Sequence, residues 1–302
     1  MIQKFNGKSV LGISLVAALV PLGVHAEISE LGIATNSVSA PDRRTGLFDW
    51  LDNRSVYNQD FFPQPLIVDD TGLETDGEVE FASQHTAING QSSDLVSAGV
   101  QKSFGLLTLE LSVPYERIYD QGERSQGVGS INVGTRYPVY QYVSPQDLFD
   151  TTLGVALEAG LPVNSAVSQN TELTPKVFND LKLGKYFAVQ SVLGYATLLD
   201  GGTGGLQIFE YGIDFSCAIP PSQFTLPGVE QLIPMVELSG ATELNQAAAG
   251  RNSLLGSLGF RLNLKAIGDL QPTLGLGYIF PVDEGAHTEV QWGLATSLTL
   301  GF

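Results

Sequence analysis

The chain has 302 residues, 43% hydrophobic and only 16% charged, with 34 glycines and a formal net charge of −17. That acidic balance excludes a nucleic-acid partner, whose phosphates demand clustered Lys and Arg. A single cysteine, Cys217, excludes an internal disulfide.

Residues 1–26 read as a signal peptide. Lys4 and Lys8 make a basic start, Leu11 to Gly23 supply an apolar run, and Val24-His25-Ala26 offers small residues at −3 and −1. Cleavage is expected after Ala26. The apolar run is about 13 residues, short of the roughly 20 that a membrane-spanning helix needs. Export without a spanning helix is the expectation, and removal of the segment with Lys4 and Lys8 lowers the net charge to −19.

Residues 27–74 lack sustained alternation. Pro41, Pro63 and Pro65 interrupt any helix or ladder, yet Phe48, Trp50, Tyr57, Phe61 and Phe62 make the segment aromatic. Two readings stand open: an unstructured periplasmic extension, or an arm packed on the rim of a barrel or inserted in its lumen as a plug.

From residue 75 to 302 the period is two. Weaker candidate strands at 76–88 and 94–103 are followed by Leu107, Leu109, Leu111, Val113 and Tyr115 alternating with Thr108, Glu110, Ser112 and Pro114. Ile131, Val133, Thr135, Tyr137 and Val139 then enclose Asn132, Gly134, Arg136 and Pro138, and Leu153 to Leu161 enclose Gly154, Ala156, Glu158 and Gly160. Segments 174–186 and 188–199 precede Phe209 to Cys217, which enclose Glu210, Gly212, Asp214 and Ser216. After 231–241 come Leu254 to Leu262, Leu274 to Phe280, and a final run from Val290 to Phe302 with Trp292, Leu294, Leu298, Leu300 and Phe302 on one face. Alternation of apolar and small or polar residues over about ten positions is what a strand between lipid and lumen requires. The fold predicted is all-β: an antiparallel transmembrane β-barrel of about 12 strands, with 10 to 14 compatible with the pattern.

Outer loops are expected near 89–93, 117–127, 164–173, 200–205, 242–252 and 282–289, with no helices. Two features favour a membrane barrel over a secreted β-sandwich. Aromatic residues gather at strand ends (Tyr115, Tyr137, Tyr140, Tyr142, Trp292), as an interfacial belt requires. The closing strand ends on an outward Phe302, and Trp292, Leu298, Leu300 and Phe302 form the signature by which barrels are recognised for insertion.

The stretch from Phe104 to Arg117, FGLLTLELSVPYER, resembles the early strand of a family of outer-membrane transporters named for the MetA pathway of phenol degradation. Leu161-Pro162-Val163 and the closing Gly301-Phe302 are similar to it as well. The likeness runs over residues 75–302 and rests on patterning. It implies uptake of small, often aromatic or hydrophobic solutes and carries over no catalytic residue.

By strand phase, Glu110, Glu158, Glu210, Asp214 and Glu237 face the lumen with Arg136, Lys182 and Arg261. They form either a structural salt-bridge network or a polar path favouring cations and neutral solutes. The mature chain has two histidines, His85 and His287, and neither precedes a serine by two, the spacing of a barrel phospholipase. His287 near Asp283 and Glu284 leaves only a protease-like pairing with His85 to consider, against solvated loop histidines. The leading expectation is a passive channel or transporter for small solutes in the outer membrane of a Gram-negative-type bacterium. The partners expected are lipid, the barrel-assembly machinery and the solute, with no cofactor, metal or catalytic residue. A structural or adhesion barrel with a plugged lumen is the alternative, and an outer-membrane hydrolase the third.

Overall fold

A computed structural model describes residues 63–69, 71 and 77–302, apart from 105, 121, 145–147, 165, 166, 169, 200–204 and 225. The signal peptide and its cleavage site, and residues 27–62 of the aromatic segment, lie outside the described residues.

Thirteen strands follow one another. They are β1 (Gly77–Ile88), β2 (Gln91–Phe104), β3 (Leu107–Asp120), β4 (Glu123–Val128), β5 (Ser130–Val143), β6 (Phe149–Pro162) and β7 (Glu172–Leu183). Then come β8 (Phe187–Leu198), β9 (Gln207–Cys217), β10 (Val229–Glu243), β11 (Asn252–Leu264), β12 (Gln271–Pro281), a single-turn helix α1 (Glu284–His287) and β13 (Trp292–Gly301). Consecutive strands pair antiparallel except β4 and β5, which both pair with β3, and β1 pairs with β13, so the sheet closes on itself. No strand edge is left open along the closure, which is the condition for crossing lipid with strands.

The thirteen strands are twelve staves. On β3, Tyr115 faces Val128 of β4 and Ser112 faces Asn132 of β5, three residues against four. One extra residue is therefore bulged out beside Gly129, whose amide still reaches the Pro114 carbonyl at 2.9 Å. β4 and β5 form one long strand with a change of phase at the bulge. A second register shift, between Pro138 and Tyr140, leaves Val139 and Tyr140 both exposed.

Burial follows the alternation. On β3 the side chains of Leu109, Leu111, Val113 and Tyr115 are exposed, while Thr108 and Glu116 are buried. On β13 Trp292 and Leu294 are exposed, as is Phe302 just after it, whereas Ala295, Ser297 and Thr299 are buried. An apolar exterior around a polar interior is the inverse of a soluble β-sandwich.

Both chain ends of the barrel lie together, Gly77 beside Phe302. Far-end connections include 163–171, 199–206, 244–251 and 282–291, whereas 105–106 and 184–186 at the terminal end are tight. The expected loop at 89–93 is a two-residue turn. Asn89 and Gly90 both have positive φ (42° and 83°), the pairing that Asn-Gly favours in hairpins. The expected loop at 117–127 is instead ladder, paired out to Asp120 and Glu123. The polar sequence there concealed a hairpin that projects beyond the apolar band. The expectation of no helix is corrected by α1 in the last far-end connection.

Candidate functional site: an occupied lumen

Residues 64–69 and 71 lie inside the barrel, the segment entering from the terminal end and turning back. Gln64 bonds Glu78 and accepts from Thr299, both near the terminal rim. Ile67 reaches furthest and packs with Leu255, Ile279 and Ala295 of the wall and with Ala286 and Val290 of the far-end loop. Thr71 returns to bond Asp180 (2.5 Å) and Gln190 (2.7 Å).

The wall holds this segment through almost every described residue. Glu237, fully buried, accepts the amides of Leu66 (2.5 Å) and Ile67 (2.9 Å) on its two oxygens. Arg261, 1% exposed, donates to the Pro65 carbonyl (3.0 Å) and to the Gln64 side-chain oxygen (3.3 Å). Val68 packs on Phe178 and Val192, and Asp69 pairs with Lys176. Leu66 lies against three inward positions that carry no side chain, Gly259, Gly275 and Gly277. A buried charge is tolerable only when paired and hydrogen-bonded, and here peptide groups of the inserted segment supply that pairing.

The lumen residues expected from strand phase divide into two groups. Arg136 pairs with Glu110 (2.5 Å) and lies 3.9 Å from Glu158, which also pairs with Lys176. This forms a chain of alternating charge ending on Asp69. Lys182 pairs apart from it with Asp150 at 3.3 Å. On β9, two strands on from Lys176, Asp214 stands opposite Gln190 on β8 and Glu237 on β10, fully buried. Glu210 is buried on the same face of β9. All eight are buried or half-buried on inward positions, and among the described residues 64–69 and 71 occupy part of the space they line. Strand phase also identified no role for Lys176, although it shares parity with Lys182. Nor could it identify the partners contributed by residues 64–71, which follow no period.

The expected histidine pairing is not assembled. His85 lies on β1 and not in a loop; it bonds Asp94 at 2.6 Å and leans on Trp292 with ring centroids 5.2 Å apart. Ser83, two residues before it on the same face, bonds Thr296 at 2.9 Å. His287 ends α1, whose Asp283 cap accepts from Ala286 (2.8 Å), Leu254 (3.0 Å) and Asn252 (2.7 Å).

That cap makes a prediction. Partial burial pushes the Asp283 carboxyl up, but the Ala286 and Leu254 amides and the Asn252 side chain outweigh it and hold the group below the ordinary carboxylate range. A depressed folded pKa means stability present above the unfolded value and lost as pH falls through the folded one. Acidification below about pH 4 is therefore expected to loosen the 282–291 connection. Asp283→Ala should loosen it at neutral pH by about 1 kcal/mol and remove the acid-dependent part of the loosening. Limited proteolysis of the loop against pH measures both; a loop equally resistant in the variant would refute the cap's role.

No protein family and no curated protein matches the chain in sequence. Among solved structures it is similar to an outer membrane channel from Pseudomonas putida F1. That match has 16% identity and a TM-score of 0.50 over 75% of this chain and 94% of the other. The likeness is one of fold. The NanC porin (10% identity, TM-score 0.44, 74% and 98% covered) and the β domain of the Bordetella autotransporter BrkA (12%, 0.43, 75% and 99%) also align. The barrel architecture expected from the alternation is thus matched by a known outer-membrane protein. The narrower resemblance drawn on Phe104 to Arg117 gains no support at the level of sequence.

Proposed function

We propose that this chain is an outer-membrane channel or transporter for small solutes, closed in this conformation by residues 64–71. The observation that carries the reading is the inserted segment itself. It is held by hydrogen bonds, the Asp69–Lys176 ion pair and the apolar side chains of Leu66, Ile67 and Val68, none of them covalent, across a lumen whose walls are largely polar. The fold shared with the Pseudomonas putida channel supports the location and the class. The MetA-type patterning favours small aromatic or hydrophobic solutes. Trp292, Leu298, Leu300 and Phe302 would carry recognition by the barrel-assembly machinery, since they line the outward face of the closing strand.

When the segment leaves, Glu110, Arg136, Glu158, Lys182, Glu210, Asp214, Glu237 and Arg261 line the path. Five acidic against three basic groups then favour cations and neutral solutes over anions. The test is current through the full chain in planar bilayers. Infrequent openings are expected for the native sequence and sustained, cation-preferring current for Leu66→Asp, because a carboxylate cannot stay in a socket beside buried Glu237. Silence from both proteins, each inserted and heat-modifiable, would overturn the channel and favour a structural barrel with a permanent plug. The number of contacts made by residues 64–71 is the one observation on that side.

A further inference from the structure

The groups that hold residues 64–67 recognise peptide chemistry. Leu66 fills a socket that exists because three neighbouring inward positions lack a side chain. A Cβ at Gly259, Gly275 or Gly277 would come within 2.6, 2.6 and 2.9 Å of its methyl groups. Beside the socket, Glu237 accepts two successive amide N–H groups, and Arg261 donates to the carbonyl just before them. Ser239 donates to the carbonyl of Ile67, two residues on from Pro65, at 3.4 Å. The residue between Gln64 and Leu66 is proline, which has no N–H, at the point where Arg261 presents only donors.

Glu237 and Arg261 are 0% and 1% exposed. Whatever replaces the segment in this place must provide N–H donors to the first and a carbonyl to the second. A site built around polar partners rejects ligands that leave them unpaired. A bare hydrocarbon offers no N–H to Glu237 and no acceptor to replace the Pro65 carbonyl on Arg261, and an anionic sugar or phosphate meets Glu237.

We propose that the wall formed by Glu237, Arg261, Gly259, Gly275 and Gly277 is a binding site for short peptides carrying a branched aliphatic side chain, and that residues 64–67 are its resident occupant. The assignment rests on the channel reading for its purpose, since a peptide that takes the site displaces the closure. It does not rest on it for its chemistry.

The test is calorimetric titration of the detergent-solubilised full chain carrying Leu66→Asp with N-acetyl-Gln-Pro-Leu-Ile-amide. Binding is expected to be at least tenfold tighter than for the same peptide with aspartate in place of leucine. Adding Gly277→Ala, whose Cβ enters the socket, should weaken it at least tenfold. The native sequence, with the site occupied, should bind at least tenfold more weakly than Leu66→Asp. Leu66→Gly serves as the acceptor if Leu66→Asp does not fold. No binding, or equal binding of both peptides, overturns the proposal. Current through Leu66→Asp without peptide binding would leave the channel standing and remove the site. Peptide binding without current would do the reverse.

Discussion

Cysteines introduced by Leu66→Cys and Gly277→Cys are expected to form a disulfide that holds the lumen shut. An ideal Cβ at Gly277 lies 3.8 Å from the Leu66 Cβ, at the centre of the range for natural disulfides. Cys217 is free, so Cys217→Ser is made first to prevent mispairing. In the oxidised protein, current should fall to baseline even under conditions that open the native chain. A reductant should restore it within one recording. The bond closes a loop of some 210 residues, so the chain-entropy estimate of added stability is on the order of 5 kcal/mol. It should appear as a higher temperature for loss of the compact gel species. A bond that forms without changing the current would mean that solute passes beside the segment. Failure of the bond to form would place Leu66 elsewhere.

Arg261→Ala is expected to release the same segment by a different route. Arg261 is the one basic side chain on β8–β13, and its guanidinium bonds Pro65, Gln64 and Thr299 and lies 3.6 Å from Glu80. Removing one partner of a buried charged network costs about 3–5 kcal/mol, because the others are left unmatched. Two effects should appear together: a higher open fraction, and a reversal potential in a salt gradient shifted toward cation preference as Asp214 and Glu237 lose their nearby positive charge. Arg261→Lys should recover only part of the closure, since an ammonium cannot reproduce a planar fork reaching several acceptors. An unchanged open fraction in a correctly inserted Arg261→Ala barrel would show that the segment is held without the guanidinium.

These two variants act on contacts that differ in how readable they were. The inward placement of Arg261 and Glu237 follows from strand phase alone, because in a strand the side-chain period is two and one apolar neighbour assigns the face of the next residue. The same rule assigned Gly275 and Gly277 to the lumen between Leu274, Leu276 and Tyr278. It could not say that those glycines form a socket, because a missing side chain has meaning only when something occupies the space.

The barrel was therefore legible where its physics is local. Alternation and the outward closing strand determined an antiparallel barrel of about twelve staves and the inward face of the eight named charges, though not of Lys176. The ladder hidden in polar residues 117–127 and the helix at 284–287 were not legible. Both depend on packing beyond the apolar band, where no lipid imposes a pattern. The occupied lumen belongs wholly to tertiary structure. Residues 64–69 and 71 have no period, and apart from Gln64 with Glu78 each of their hydrogen bonds and ion pairs joins positions more than a hundred residues apart. Sequence alone determined which charges face inward; only the closed fold decided that Glu237 would accept two amides, that Arg261 would hold a carbonyl, and that three absent side chains would make room for Leu66.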